Sequence, residues 1–338
     1  MIFFRADSND IIASGHIMRC ISIASYFREK GYDVTFLIAD KNPVEMLEKA
    51  ELDYYILNSK WNDLSYEYDT IVSCLKREEN PILIIDTYSV NKEYVDKVSP
   101  FARVCYLGSK KEYLGNLAGL INYSTDIDES FYKLNYPKTK LLLGPSYAPL
   151  RKEFQNVEEH YTNNDFRILL TTGNSDPYNC TSLILQYLIQ NEIIMNYSID
   201  VVVGRMFNDV DGMVSKFSSF RNIRFYQGAN LSELMKSSSL AISANGTTVY
   251  ELAASHVPII SFALVREQVK SAETLFNLGV LKYAGQMYSN KDECISSIIQ
   301  YVLAFIANPS ELEIIGKNAY KVIGGNGCEK IFDLISTL

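Results

Sequence analysis

Short apolar runs alternate with amphipathic stretches along nearly the whole chain, and this alternation constrains the fold more than any other feature. In the first third it predicts β-strands at 1–4, 33–38, 54–57, 81–85 and 103–107, and helices at 17–30, 43–50, 68–77 and 92–98. A strand–helix–strand order favours parallel strands with helices on both faces of the sheet. The sequence therefore predicts an α/β fold built on a doubly wound parallel sheet.

The alternation weakens between about residues 109 and 161 and then resumes, which predicts a domain boundary. Beyond it, strands are predicted at 166–170, 199–203, 223–226, 240–243 and 258–262, with helices at 179–190, 231–236, 248–254, 269–278, 295–307, 312–322 and 329–338. A length of 338 residues corresponds to about two domains of ordinary size. We expect two Rossmann-like domains that face each other across a cleft, with a ligand at the carboxyl ends of the strands.

Charge and cysteine usage exclude several functional classes. A net charge of −8 argues against nucleic acid as a partner, because general binding to it needs a basic face. The six cysteines form no CxxC pair, and scattered single cysteines suit a reducing cytosol. No apolar run reaches about 18 residues, and residues 1–7 carry charges where a signal peptide needs an apolar stretch. We therefore expect a cytoplasmic protein with no integral membrane segment.

The loop after the first predicted strand holds the strongest candidate for catalysis. His16 falls in the first turn of the next helix, where the helix dipole disfavours imidazolium, so the pattern indicates a general base. Asp7 or Asp10 would orient the ring, and Gly15 would allow a ligand to approach the backbone closely. The alternative is that His16 only closes the helix start and the aspartates are solvated.

A second polar segment, Asp86-Thr87-Tyr88, follows the fourth apolar run at the carboxyl end of a predicted strand. Its carboxylate and phenol would line the same cleft as His16. The alternative is a loop aspartate that accepts backbone amides and a tyrosine that packs on the surface. His160 and His256 are predicted as surface residues, and no spacing of His, Asp and Glu indicates a metal site.

Two turns in the second half are candidates for holding phosphate. In one, Asp176 and Pro177 have the pattern of an N-cap and first helical residue, but any strand–helix loop shares it. In the other, the amides of residues 246–248 would face an anion, and Glu251 would accept the two hydroxyls of a ribose. Thr248-x-x-Glu251 is equally the pattern of a capping box, in which Glu251 bonds its own helix start.

Several segments, in chain order, resemble the nucleotide-sugar hydrolases of pseudaminic acid biosynthesis. The most specific is the opening motif, Arg5-Ala-Asp7-Ser8 followed by Gly15-His16-Ile-Met-Arg19-Cys20. The others are Asp86-Thr-Tyr88, Gly144-Pro-Ser-Tyr147-Ala-Pro-Leu-Arg151-Lys-Glu-Phe154, Gly173-Asn-Ser-Asp176-Pro-Tyr-Asn179, Ser243-Ala-Asn-Gly246-Thr-Thr248-x-x-Glu251 and Gly325-Asn-Gly327-Cys-Glu-Lys330. The C-terminal motifs are shared with a wider group that includes the peptidoglycan N-acetylglucosaminyl transferase.

The resemblance implies the GT-B fold: a first domain over 1–150, a nucleotide-binding domain over 160–325, and a last helix, 326–338, that returns to the first domain. It implies that His16 activates water and that Tyr88 lines the sugar site. Asp7, which the loop places near His16, is the third predicted catalytic residue. The positions implied to bind the UDP-sugar are Arg5, Gly15, Arg19, Gly173, Ser175, Asp176, Gly246, Thr247, Thr248, Glu251 and Gln268.

The reaction implied by the resemblance is hydrolysis of UDP-2,4-diacetamido-2,4,6-trideoxy-L-altrose to free sugar and UDP, by C–O cleavage with inversion and without metal or cofactor. A second interpretation is a GT-B glycosyltransferase that uses a related nucleotide sugar, and a third is a non-catalytic protein that binds one. Asn174 and Asn245 stand where the family has glycine, and Glu267 precedes Gln268 where the family has asparagine. These departures bear on the substrate more than on the fold.

Overall fold

The computed structural model describes residues 1–159 and 166–338. Within these ranges the chain forms two compact units, one of residues 1–152 with 326–338 and the other of residues 153–325. Each unit is built on a parallel sheet, as the alternation predicts. The surface position predicted for His160 lies outside the described residues. Among those described, no single helix is both long and apolar enough to cross a membrane.

The first unit contains, over residues 1–152, the following elements. Its strands are β1 (Ile2–Ala6), β2 (Val34–Ile38), β3 (Asp53–Ile56), β4 (Ile82–Asp86), β5 (Arg103–Leu107), β6 (Gly119–Asn122) and β7 (Lys140–Leu143). Its helices are α1 (Gly15–Glu29), α2 (Val44–Lys49), α3 (Tyr68–Leu75), α4 (Lys92–Val98) and α5 (Glu129–Asn135). The strands are parallel in the order β3-β2-β1-β4-β5-β6-β7, so β1 lies between β2 and β4.

The central strand β1 shows why the sheet is covered on both faces. All five of its residues are buried, as expected for a parallel strand inside a doubly wound sheet. Alternate side chains point to opposite faces. Phe4 packs in a core with Ile17 of α1, whereas Phe3 packs in a separate core with Ile71 of α3 and Val95 of α4.

The strands and helices predicted up to residue 107 are all found, with ends that differ by no more than two residues. Between residues 109 and 161, however, the structure contains β6, α5 and β7, which the sequence pattern does not predict. Both of these strands have only four residues. β3 is equally short and is predicted, but β6 and β7 lie in a segment that Pro137, Gly144 and Pro145 interrupt, so their apolar runs do not stand out from the turns.

The second unit contains six strands over residues 166–325: β8 (Arg167–Thr171), β9 (Ser198–Val203), β10 (Ile223–Gln227), β11 (Leu240–Ala244), β12 (Ile259–Ala263) and β13 (Lys282–Gln286). Its helices there are α6 (Cys180–Leu188), α7 (Val210–Phe217), α8 (Leu231–Lys236), α9 (Thr248–Ala254), α10 (Val269–Asn277), α11 (Lys291–Ala307) and α12 (Pro309–Ile323). The strands are parallel in the order β10-β9-β8-β11-β12-β13. The pattern predicts neither α7 nor β13. In β13 the sequence is Lys-Tyr-Ala-Gly-Gln, which contains no apolar run.

His256 is not the surface residue that the sequence predicts. It follows α9 in a left-handed backbone conformation (φ 57°) and is buried. Its ring stacks on Tyr320 with 3.9 Å between ring centroids, and Nε2 lies 3.2 Å from the carbonyl oxygen of Val157. The short connection between two buried elements leaves this side chain no exposed position.

The last helix, α13 (Gly327–Ser336), belongs to the first unit and packs against α1. The Phe332 ring lies 5.0 Å from that of Phe27, between ring centroids. At the helix start, Gly327 lies against the backbone of Ala148, so closely that an added Cβ would come within 2.0 Å of the Ala148 carbonyl oxygen. Glycine at this position therefore allows the helix to dock.

We predict that Gly327→Ala destabilises the first unit by about 1–3 kcal/mol, because the new methyl group collides with backbone that cannot rotate away. Gly15→Ala is the matched control: Gly15 is likewise the first residue of its helix, and an added Cβ there meets nothing within 4 Å. Chemical denaturation of both variants measures the difference. Equal stabilities for the two would contradict the packing argument.

Candidate active site

The candidate active site lies in the first unit, at the carboxyl ends of β1 and β4. These strands are neighbours, but β1 leads through α1 to β2 on one side and β4 leads through α4 to β5 on the other. Such a switch point forms a crevice at the edge of a doubly wound sheet. His16, the second residue of α1, and Asp86, the last residue of β4, both lie here.

Asp86 is a buried carboxylate that receives three side chains from one face of α1. His16 Nδ1 lies 2.6 Å from Oδ1. Arg19 donates from Nε to Oδ2 and from Nη2 to Oδ1, at 2.5 Å each, and Cys20 Sγ lies 3.4 Å from Oδ2. Positions 16, 19 and 20 share a helix face because they are three and four residues apart.

The charge of Asp86 determines which nitrogen of His16 carries the proton. Burial alone would raise the pKa of Asp86, but the charge of Arg19 and the hydrogen bonds from His16 and Arg19 outweigh it, so the pKa is lowered. An ionised carboxylate only accepts hydrogen bonds, so a hydrogen on His16 Nδ1 fills the 2.6 Å gap to Asp86 Oδ1, although Arg19 Nη2 also lies 2.9 Å from that nitrogen. His16 is 4% exposed; its Nε2 has no hydrogen-bond partner among the described residues and is not fully enclosed by them.

Tyr88 lies beside this pair. Its ring meets the His16 ring edge-on, with 4.4 Å between centroids and an angle of 88°. The Tyr88 side chain is nevertheless 62% exposed. It therefore contributes an accessible aromatic surface and a phenol next to the open nitrogen of His16.

The contact predicted between His16 and Asp7 or Asp10 is not found, because Asp86 takes that position. Asp10 is exposed in the loop. Asp7 is buried on the side of β1 that faces β2, whereas Asp86 lies on the side that faces β4. Asp7 accepts from the backbone amide of Ala39 at 2.8 Å and pairs with Arg5. Asp7 thus ties the end of β1 to the end of β2 and does not touch the histidine.

Arg5, which the resemblance implies is a ligand-binding residue, is fully buried in a carboxylate cluster. Its Nε and Nη2 donate to the two oxygens of Glu67 at 2.7 and 2.8 Å, and its Nη1 donates to Asp7. Glu67 also accepts from the hydroxyls of Tyr94, at 2.9 Å, and Ser59, at 2.8 Å. All three guanidinium nitrogens are used internally, so Arg5 supports the loops around the site and does not face a ligand.

The sequence-based predictions do not identify the partners of His16, although the sequence contains a signal for some of them. The spacing of His16, Arg19 and Cys20 already places three donors on one helix face, and Asp86 ends the strand next to β1. Tyr123, which accepts from Arg19 Nη1 at 3.0 Å, could not be anticipated, because it follows β6, a strand that the pattern does not predict.

In the second unit, the predicted phosphate turns lie at the equivalent switch point, between β8 and β11. The turn after β8 differs from the prediction. The helix begins at Cys180, three residues after Pro177, which the N-cap pattern gave as the first helical residue. The Asp176 carboxylate accepts from the amides of Cys180 at 2.7 Å and Thr181 at 2.8 Å. Asp176 is buried and already satisfies this helix start, while Gly173 and Ser175 lie in the more open part of the turn.

The turn after β11 keeps its predicted position. Gly246 and Thr247 are exposed, and α9 begins at Thr248, preceded by Thr247, whose side chain makes no capping hydrogen bond. Thr248 is therefore the first helical residue, one position too late to act as the N-cap of a Thr248-x-x-Glu251 capping box. Glu251 lies one turn into the helix and is half-buried.

The two asparagines that replace family glycines need no left-handed backbone, since neither Asn174 nor Asn245 has a positive φ. Asn245 instead uses its side chain: it accepts from Ser261 Oγ at 3.3 Å and donates to the carbonyl of Gln268 at 3.2 Å. Gln268 Oε1 accepts from the amide of Leu264 at 2.7 Å. Asn245 thereby fixes the segment after β12, while Glu267 is exposed.

Comparison with family models gives no match. Three homologous proteins are more informative. The chain is 25% identical over 286 residues to the UDP-2,4-diacetamido-2,4,6-trideoxy-beta-L-altropyranose hydrolase of Campylobacter jejuni, covering 82% of this chain and 97% of that one. It is 21% identical over 288 residues to the pseudaminic acid cytidylyltransferase and UDP-2,4-diacetamido-2,4,6-trideoxy-beta-L-altropyranose hydrolase of Helicobacter pylori. That match covers 82% of this chain and 47% of the Helicobacter protein. It is 22% identical over 270 residues to an uncharacterized protein of Methanocaldococcus jannaschii, covering 75% and 54%.

The match therefore spans about half the length of the Helicobacter and Methanocaldococcus proteins. Solved structures extend the likeness to the whole chain. MurG of Acinetobacter baumannii superposes with a TM-score of 0.68 at 12% identity, covering 100% of this chain and 99% of that one. The fold is GT-B. The UDP-GlcNAc 2-epimerase of Neisseria meningitidis, solved with UDP-GlcNAc, superposes with a TM-score of 0.63 at 14% identity, covering 100% of both chains.

Neither unit offers a metal site: within residues 1–159 and 166–338, no group of three or more His, Cys, Asp or Glu side chains is arranged to hold an ion. The side chains that meet at this crevice are the imidazole of His16 and the phenol of Tyr88, with the guanidinium of Arg19 bonded to Asp86 behind them.

We predict that Asp86→Asn lowers stability at neutral pH by about 1–3 kcal/mol, because the amide cannot match the charge of Arg19 or accept from all its donors. The lowered pKa of Asp86 means that the wild-type contribution is complete above about pH 4 and is lost as the pH falls further, through the folded-state value. The difference between the two proteins should therefore shrink below about pH 4 in denaturation curves. A difference that stays constant down to the acid transition would contradict this prediction.

Proposed function

We propose that the chain is a nucleotide-sugar hydrolase that releases UDP from a UDP-activated 2,4-diacetamido-trideoxy sugar, in a pathway to pseudaminic or a related nonulosonic acid. The observation that carries the proposal is the His16–Asp86 pair, with His16 Nε2 open at the switch point of the first sheet. The names of the Campylobacter and Helicobacter homologues supply the substrate class.

The proposed reaction follows from the state of His16. Nε2 takes a proton from a water molecule as the water oxygen attacks the anomeric carbon, and Asp86 stabilises the imidazolium that forms. The bond between the anomeric carbon and the diphosphate oxygen breaks, UDP leaves with the electron pair, and attack from the opposite face inverts the configuration. The proton then passes from His16 to solvent. Tyr88 would contact the sugar beside the attacked carbon.

The nucleotide would be bound by the second unit. The exposed turn at Gly246 and Thr247 offers backbone amides, and Glu251 offers a carboxylate for the ribose hydroxyls. The position of this turn at the switch between β8 and β11 supports the proposal, because ligands of doubly wound sheets bind at such points. The turn at Asp176 is a weaker candidate, since its helix start is already occupied by a carboxylate.

A single assay separates this function from the alternatives. Purified protein is incubated with a panel of UDP- and CMP-sugars without an acceptor, and free nucleotide is measured. Release from a UDP-2,4-diacetamido-trideoxy sugar, with release of free sugar in equal amount, supports the hydrolase. Release that needs an added sugar acceptor would identify a glycosyltransferase, and binding without release would identify a binding protein.

We predict that His16→Asn lowers the rate of UDP release by about 10²–10⁴-fold, the range expected for loss of a general base. The substituted side chain is similar in size at a buried position, so the melting temperature and the affinity for UDP should change little. Titration calorimetry with UDP serves as the control on the same sample. Turnover within a few-fold of wild type would remove His16 from the reaction.

We predict that Glu251→Ala weakens UDP binding by about 1–3 kcal/mol through loss of hydrogen bonds to the ribose. Glu273→Ala, which removes an exposed carboxylate from α10 of the same unit, should leave UDP binding unchanged. Titration calorimetry and a melting curve are recorded for both variants. A lower melting temperature with unchanged UDP affinity in Glu251→Ala would show that this residue only supports its helix.

A further inference from the structure

We propose that Arg19 is a positioning residue. Its bidentate hydrogen bonding to Asp86 holds that carboxylate against His16 and so maintains the imidazole tautomer in which Nε2 is the base. The inference rests on the proposed function of His16 and deepens it. It departs from the role that the resemblance gives Arg19, which is contact with the nucleotide sugar.

The geometry of the Arg19–Asp86 pair is specific. Arg19 Nε and Nη2 meet the two oxygens of Asp86 side by side, which fixes the plane of the carboxylate as well as its position. In that plane Oδ1 lies 2.6 Å from His16 Nδ1, and Arg19 Nη2 lies 2.9 Å from the same nitrogen. A single-point contact would leave the carboxylate free to rotate about its own axis and away from the ring.

Arg19 is itself held from the other side. Its Nη1 donates to the hydroxyl of Tyr123 at 3.0 Å, and its guanidinium carbon lies 5.7 Å from the centre of the Tyr123 ring. Every nitrogen of the guanidinium is thus engaged by protein, although 19% of the side chain remains exposed. Arg19 therefore connects Asp86, at the end of β4, to Tyr123, after β6, and this arrangement favours a structural connection over contact with a ligand.

The surroundings of Asp86 show why a cation is needed. The groups that face it are His16, Arg19 and Cys20 on α1, Tyr106 on β5 and Tyr123 after β6. Of these, only Arg19 carries a permanent positive charge. Burial raises the pKa values of Cys20 and Tyr123, so both stay neutral.

Without Arg19, burial would dominate at Asp86 and raise its pKa, so that the carboxyl group would take up a proton as the pH falls. A protonated Asp86 donates to Nδ1 instead of accepting from it. The ring proton then moves to Nε2, and the lone pair that would receive the proton of water is lost. The role of Arg19 is therefore exerted through Asp86 and not on the substrate.

The test uses the full-length protein without substrate. Nuclear magnetic resonance of imidazole ¹⁵N and carboxyl ¹³C follows the His16 tautomer and the ionisation of Asp86 between about pH 8 and about pH 5. The sequence has only three histidines, so loss of one signal set in His16→Asn assigns His16. Arg28→Met is the matched control for Arg19→Met, because Arg28 lies on the same helix, 44% exposed.

In wild type and Arg28→Met, we expect the neutral His16 ring to carry its proton on Nδ1 and Asp86 to stay ionised throughout. In Arg19→Met, we expect Asp86 to titrate within the range and the Nε2–H tautomer to appear. Arg19→Lys keeps the positive charge but cannot form the bidentate pair. Asp86 should therefore stay ionised while both tautomers of His16 are populated. Tyr123→Phe, which leaves the Arg19–Asp86 pair intact and is expected to fold, should shift the tautomer ratio in the same direction by a smaller amount.

Kinetics provide the second measurement. For Arg19→Met we expect kcat to fall about 10–100-fold while KM changes less than about threefold, because the base is impaired and the substrate contacts are not. A raised KM with unchanged kcat and an unchanged tautomer would show that Arg19 binds substrate, which overturns the inference. Spectra of Arg19→Met or Tyr123→Phe that match those of wild type would overturn it as well.

The two proposals fail differently. If wild type releases no UDP from any nucleotide sugar but the spectra behave as expected, the proposed function is wrong and the role of Arg19 toward Asp86 stands. If wild type hydrolyses the sugar and the spectra do not respond to Arg19→Met, the positioning role is wrong and the proposed function stands.

Discussion

The contact between one buried carboxylate and the first turn of α1 determines the chemistry available to the first unit. Asp86 ends β4, and three side chains of α1 converge on it. This contact joins two strands whose connections leave in opposite directions, at the point where the sheet would otherwise open. It also leaves Nε2 of His16 without a partner among the described residues. Under the proposed function, the same interaction both joins the strands and prepares the base.

The second unit uses a carboxylate in the opposite way. Asp176 lies at the equivalent switch point but satisfies the start of its own helix, so it competes with an anion for that position instead of preparing a reactive group. The neighbouring turn after β11 stays open, and Asn245 braces the segment after β12 with its side chain. Of the two turns, the β11–α9 turn therefore has the helix start that no side chain caps.

The class of fold, most helices and strands, and the position of His16 at the start of the helix after β1 could be predicted from the sequence, because periodic apolar runs and a polar loop after a strand are local signals. The partner of His16 could not, since the choice between Asp7, Asp10 and Asp86 depends on which strands are neighbours. The burial of Arg5 and Asp7 could not be predicted for the same reason: Glu67, 62 positions from Arg5, makes their loop part of a buried cluster. Short strands such as β6 and β7 leave too little pattern to detect, and with them Tyr123 was missed.

The return of α13 to the first unit has a consequence for synthesis of the protein. The core beneath α1 includes Ile331 and Ile335, so the unit that begins at the amino terminus lacks part of its core until residues 327–336 have left the ribosome. The second unit, which is contiguous in sequence, can complete its core earlier. Domains usually fold in the order in which they are made. Here the amino-terminal unit becomes complete only after the second unit has been made.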